Sequence, residues 1–211
     1  MQETQERLEP GALELLAMYL RRPGILLPLL GLVTFVVYSG TLSFEFVWDD
    51  WPQIVNSPLI RSWSNLPRAF GSDLWYHVAR HQVYYRPLFV AWSMLNYTLF
   101  GLHPWGWHLG AVLLHVGAVL SVFWLARRLR LEYWTAALAA AIFALHPVHI
   151  EPVTWISAAS DTMVTMFAAL GFAAFLNGRD PAHIPEFNKR MAWWLHRWRC
   201  WRALCSPRKW Q

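Results

Sequence analysis

Apolar residues in this chain gather into long windows, and the charged residues stand between them. Pro23 to Phe44, bounded by Arg22 and Glu45, is a run of 22 residues without Asp, Glu, Lys or Arg. The windows Pro87 to Ala126, Tyr133 to Ile150 and Thr162 to Gly178 are equally free of charge. A charge at the centre of a spanning helix costs about 2.5 to 3.5 kcal/mol, so windows of this kind mark membrane spans. About 20 helical residues cross a hydrocarbon core of about 30 Å. The first window is long enough for one crossing, and the third and fourth are just long enough. The second must hold more than one element, because Gly101, His103 and Pro104 interrupt it. The pattern predicts an all-α integral membrane protein with about four transmembrane helices, over residues 24–44, 105–126, 133–150 and 161–178. A long first loop, 45–104, carries interfacial helices, with starts expected at Ser57-Pro58, at Ser64 with Pro67 in the first turn, and over 87–102.

Charge decides how the second window is divided. If 87–102 lies in the interface and 105–126 crosses, 14 of the 18 Lys and Arg residues fall on one side, including Arg127, Arg128 and Arg130. The positive-inside rule then makes the amino terminus cytoplasmic. A hairpin of two spans would put that arginine cluster outside, in a short connection where the rule is strongest. Ser93, Asn96 and Tyr97 also give the 87–102 segment a polar stripe at helical spacing. The membrane region is therefore 24–178, preceded by a cytoplasmic segment, 1–23.

Composition agrees with a bilayer as solvent: 56% of residues are hydrophobic, 15% are charged and 15 are tryptophan. The net charge of +5 needs no nucleic acid to explain it, since the excess sits in flanks facing anionic headgroups. Cys200 and Cys205 fall on the reducing side, so neither a disulfide nor a metal site is read from them. Residues 179–211, rich in Trp and Arg, read either as a basic aromatic helix on the cytoplasmic leaflet or as the out-of-frame or truncated end of a longer gene.

The candidate chemistry collects on the opposite, outer face. Asp49 and Asp50 are adjacent in FVWDDWPQIVNSP, and HPVHIEP places His146, His149 and Glu151 on an irregular connection between spans. Asp161 opens the last span, where a carboxylate is a functional candidate, although the helix dipole favours an Asp there whatever its function. His108 and His115 share one face of the second span and read as interhelical hydrogen-bonding groups.

The strings DDWPQIVNSPLI, YYRPLFVAWSMLNYTLFGLHPWGWHLGAVLLH and ALHPVHIEPVTWISAASD, in that order, resemble the amino-terminal part of a GT-C superfamily membrane glycosyltransferase. They are most similar to the transmembrane and tetratricopeptide-repeat-containing O-mannosyltransferases and their bacterial relatives. The resemblance implies transfer of a sugar from a polyprenyl-phosphate donor to a protein or glycan acceptor hydroxyl on the non-cytoplasmic face. Family members have many more spans, so four represent an incomplete GT-C fold. The acidic pair in the first outer loop maps onto Asp49 and Asp50 as catalytic residues, Asp49 being the preferred general base.

A carboxylate can accept the proton of a hydroxyl too weakly acidic to attack unaided. A second carboxylate would either raise its neighbour's pKa or share a divalent ion, Mg or Mn, with Asp50, His149 and Glu151 as ligands. Arg86 in YYRPL is the preferred partner of the donor phosphate, with Tyr85, His146, His149, Glu151 and Asp161 lining the substrate site. The expected location is a bacterial inner membrane, or the endoplasmic reticulum in a eukaryote. Two competing classes remain open: a non-catalytic membrane binding or assembly subunit, and a redox or transport protein built on the intramembrane histidines.

Overall fold

A computed structural model of the protein describes residues 11–71, 74 and 84–179. The 179–211 tail beyond its first residue, the two cysteines and Asp73 lie outside them. All regular elements among the described residues are helical.

Three helical segments are long and apolar enough to span a membrane: Pro23–Ser43, Pro104–Arg128 and Ile156–Arg179. The first comprises α2 (Pro23–Tyr38), which follows the short α1 (Ala12–Leu20), and a 3-10 turn to Ser43. Pro23 occupies the first helical position, where its missing N–H would have had no partner anyway. The second is α5 (Pro104–Arg128), again opened by a proline. Its 25 residues extend about 38 Å. Arg127 and Arg128 close it, where cations favour the negative end of the helix dipole. The third comprises a 3-10 turn, Ile156–Ala158, running into α8 (Ala159–Arg179).

The window expected to give a span over 133–150 is broken. Helix α6 (Tyr133–Leu145) has 13 residues, about 20 Å, and is followed by a 3-10 turn and the short α7 (Ile150–Thr154), the two parts bent by 49°. Pro147 is the cause: it pushes His146 into extended backbone (φ −67°, ψ 129°), which ends the helix. The pair α6 and α7 counts as a fourth span only as a bent unit.

Helix α5 is the axis of the bundle, with α2, α6 and α8 packed around it. Ala136, Ala137, Ala140 and Ala144 line the buried face of α6, and such small residues let backbones approach closely where lipid supplies no hydrophobic drive. At the arginine-rich end, the Glu132 carboxylate caps α6 by accepting the Trp134 N–H (2.7 Å), and the Tyr133 hydroxyl donates to the Leu20 carbonyl (2.9 Å).

The other end carries the long loop. A π-helical turn (Trp51–Val55) and two 3-10 turns lead to α3 (Leu66–Gly71), and then α4 (Pro87–Phe100) returns to α5. Ser62 caps the Trp63–Asn65 turn through the Ser64 N–H, and α3 follows from Leu66 with Pro67 in its first turn, two residues after the start expected at Ser64. The 14 residues of α4 do not qualify as a span. Ser93 and Asn96, expected on a polar stripe facing headgroups, are instead buried. Gly101 turns α4 into α5 with φ +60° and ψ −128°, a conformation open essentially to glycine alone. A Cβ at Gly106 would strike the Phe100 ring, and one at Gly110 the Asn96 side-chain oxygen, so these glycines set how closely α4 and α5 meet. A buried cluster including Ile54, Leu59, Ile60, Phe89, Met94, Trp107 and Ile156 then fastens the loop onto α4, α5 and the start of α8.

Candidate active site

The two aspartates occupy opposite surroundings. Asp50 is fully buried. Its Oδ1 accepts both the backbone N–H (2.9 Å) and the hydroxyl (2.6 Å) of Ser157, 107 residues away, and its Oδ2 accepts the Val47 N–H (3.1 Å). Burial raises its pKa above the ordinary carboxylate value; the hydrogen bonds from Ser157 and Val47 oppose the rise, and the Asp49 charge adds to it. Asp50 is the clamp that ties the first loop to the start of the last span.

Asp49 is half-buried and faces a polar cavity of about 180 Å³. Glu151 and Asp161 bring two further carboxylates to it from α7 and α8. Arg86 supplies a guanidinium, whose Nη1 donates to the Ser157 carbonyl (3.4 Å) and whose carbon lies 5.2 Å from the centre of the Tyr84 ring. The residue that Asp50 holds therefore also receives Arg86. Beside this cavity lies a cleft of about 960 Å³ with largely apolar walls, among them Phe44, Val47, Val148 and Ile150. The two share Glu151 and Trp155. Trp48 stands at the mouth of the cleft, 81% exposed, with its ring edge-on to Trp155 at 6.0 Å. Its φ of +44° is a left-handed value rare for a bulky side chain, the kind of local strain that clusters at functional sites.

Several sequence candidates gather here and others do not. Asp49, Arg86, Glu151 and Asp161 meet around the polar cavity, and Asp50 stands behind it. The Tyr85 hydroxyl donates instead to the Phe70 carbonyl (3.1 Å), and Tyr84 takes the place at the cavity. His146 is exposed, and its Nδ1 accepts the Val148 N–H (3.2 Å). His149 packs on Phe143, with ring centres 4.1 Å apart, and on His115 at 5.3 Å. Asp50, His149 and Glu151 are not assembled as metal ligands, and among the described residues no group of three or more His, Cys, Asp or Glu is placed to hold a metal ion. His115 makes an interhelical bond, its Nε2 lying 3.3 Å from the Ala144 carbonyl. His108 is buried against the Phe44 and Glu45 backbone and packs edge-on to the Phe44 ring.

Gln53, Tyr84, Trp155 and Ser157 line the cavity without having been singled out in the sequence. For Gln53 the signal was Pro52, which marks a helical turn opening at the aspartates. In that turn the Gln53 N–H bonds the Asp49 carbonyl (3.0 Å), setting the two residues one turn apart.

Clustered carboxylates and an arginine beside an apolar cleft, on an all-α membrane scaffold, form a concave apolar site with a few convergent polar groups, the usual setting of a binding or active site. The family model for dolichyl-phosphate-mannose-protein mannosyltransferase matches residues 84–198, and the chain belongs to that family. It is 32% identical over 148 residues, 68% of its length, to the protein O-mannosyl-transferase Tmtc2 of Drosophila melanogaster. It is 31% identical over 72% of its length to human TMTC3, and 32% identical over 74% to human TMTC4. These alignments cover 16, 17 and 24% of the respective relatives, so the chain spans a quarter of their length or less. No solved structure matches it.

Proposed function

We propose that this chain carries the reacting centre of a membrane glycosyltransferase that moves a hexose from a polyprenyl-phosphate donor to a protein hydroxyl on the non-cytoplasmic face. The observation that carries this reading is the junction of the polar cavity and the apolar cleft along Glu151 and Trp155. Such a donor has a polar head and a long apolar tail, and the two spaces match its two parts. Arg86 meets the phosphate, since a guanidinium offers paired donors to its oxygens. Asp49 accepts the proton of the acceptor hydroxyl as its oxygen bonds the anomeric carbon. The bond from that carbon to the phosphate oxygen breaks, and polyprenyl phosphate leaves with the electron pair. Sugar transfer passes through an oxocarbenium-like state, which the neighbouring carboxylates stabilise.

Two further features support this reading. Arg21, Arg22, Arg127, Arg128 and Arg130 lie at the end remote from the cavity, as a cytoplasmic end requires. The names of the relatives favour mannose as the hexose and a protein as acceptor.

The test is mannose transfer from polyprenyl-phosphate mannose to a Ser/Thr peptide, using membranes that contain the chain. Asp49→Asn keeps the side chain's size and removes the base, and it should lower transfer by about 10² to 10⁴-fold with membrane insertion unchanged. No transfer by the wild-type chain, or full transfer by the variant, overturns the proposal.

A further inference from the structure

Two residues that line the same cavity each carry a buried polar atom with no hydrogen-bond partner among the described residues. Gln53 is 3% exposed and lines the cavity, yet its Oε1 is buried without a hydrogen-bond partner. Trp155 lines it from another element, and its Nε1–H is likewise buried and unpartnered. Buried polar atoms are nearly always paired, and each orphan is a cost that needs an explanation. Neither atom serves the clamp, the base or the phosphate contact. One is an acceptor and the other a donor, from chain segments about a hundred residues apart. A hydroxyl both donates and accepts, so sugar hydroxyls have the chemistry to satisfy both.

The charge around them narrows the ligand further. Among the described residues, Asp49, Glu151 and Asp161 line the cavity against one guanidinium, that of Arg86. Hydroxyl donors suit carboxylate walls, whereas a carboxylate on the sugar would meet like charge from three sides. We propose that Gln53 and Trp155 are the sugar-reading residues of the site, and that together with the acidic wall they select an uncharged hexose and exclude uronic acids. This rests on the donor reading above and adds to it the class of sugar and the groups that recognise it.

The test is equilibrium binding of three probes to the purified chain: polyprenyl phosphate, polyprenyl-phosphate mannose and polyprenyl-phosphate glucuronate. The wild type should bind the mannosyl carrier about tenfold tighter than the bare carrier, one to two net hydrogen bonds' worth, and the glucuronyl carrier no tighter than the bare one. Gln53→Leu should remove most of that increment and leave bare-carrier affinity within about twofold, and Trp155→Phe should also remove most of it. Because Leu at 53 deletes an unsatisfied buried oxygen, the melting temperature without ligand should hold or rise. A clear fall would mark Gln53 as structural and overturn its assignment. Retention of the mannosyl increment by both variants, or tighter binding of the glucuronyl carrier, overturns the sugar-reading role. If the wild type binds mannosyl and bare carrier equally while Asp49→Asn still abolishes transfer, the inference fails and the enzyme reading stands. If it binds neither carrier, both fail.

Discussion

The polar cavity and the apolar cleft meet along Glu151 and Trp155, yet they are lined by opposite chemistry and held by different means. The cavity is framed by long-range polar bonds: Asp50 to Ser157, and Arg86 to the Ser157 carbonyl. The cleft wall comes from local features, the 3-10 turn and short helix that follow Pro147 and the left-handed Trp48. A hydrogen-bonded frame fixes atoms to within a few tenths of an ångström, which proton transfer requires. Apolar contact is non-directional, so a cleft that receives a hydrocarbon chain needs only shape and area.

The largest effects should therefore come from the cavity, and they should differ in kind from those of the cleft. Asp49→Asn removes the base and should act on kcat, with little change in KM for the donor. Val148→Asp places a charge on the cleft wall, at a residue 64% exposed, so the fold has no buried contact to lose there. It should raise KM for a long-chain polyprenyl donor by about tenfold or more and leave a short-chain, water-soluble donor unaffected, because only the long chain loses apolar burial. Equal loss with both donors would dissolve the distinction between the two spaces.

The next test separates the adjacent aspartates. In Asp50→Asn one oxygen still receives both Ser157 donors, but the amide nitrogen now faces the Val47 N–H, so one of the bonds holding the loop is lost. The expected cost is about 1 to 3 kcal/mol of stability, read as a lower melting temperature, with transfer reduced only as far as Arg86 and Ser157 shift. Asp49→Asn should leave the melting temperature unchanged.

The pH dependence has a definite sign. Burial holds the folded-state pKa of Asp50 above its unfolded value, so the folded chain binds the proton more tightly. The stability linked to this group is fully present below the unfolded carboxylate pKa and is lost as pH rises through the folded value. Melting curves across that acidic range should show a downward step with rising pH in the wild type, and Asp50→Asn should abolish it.

The contrast also explains what the sequence could disclose. Charge-free windows revealed α2, α5 and α8 because lipid imposes its constraint residue by residue. The break in the third window was legible only in part: HPVHIEP marked an irregular connection, but the charge-free window was counted as a span to Ile150, whereas the helix ends at Leu145. Asp49 and Asp50 stood out together, and nothing local separates them. Their division of labour is set by Ser157, 107 residues downstream, whose N–H and hydroxyl are satisfied by one of the two and not the other. The same holds for YYRPL, where alternation around an irregular turn decided which tyrosine meets the cavity.

That pair of tyrosines gives the smallest effect and the finest test of where the cavity ends. Tyr84 lines it and lies under the Arg86 guanidinium, a cation–π contact of about 0.5 to 1 kcal/mol at an exposed site. Tyr84→Leu removes the ring's quadrupole and should weaken binding of polyprenyl phosphate by about two- to fivefold, since Arg86 is then less firmly aimed. The Tyr85 ring is 58% exposed and its hydroxyl donates to the Phe70 carbonyl, and Tyr85 is not among the residues lining the cavity. Tyr85→Phe deletes one exposed hydrogen bond, so carrier affinity should stay within about twofold and stability should change by less than about 1 kcal/mol. Should Tyr85→Phe weaken carrier binding more than Tyr84→Leu, the boundary of the polar cavity would have to be redrawn to include the Tyr85 hydroxyl, and Arg86 would lose the aromatic support that aims it at the phosphate.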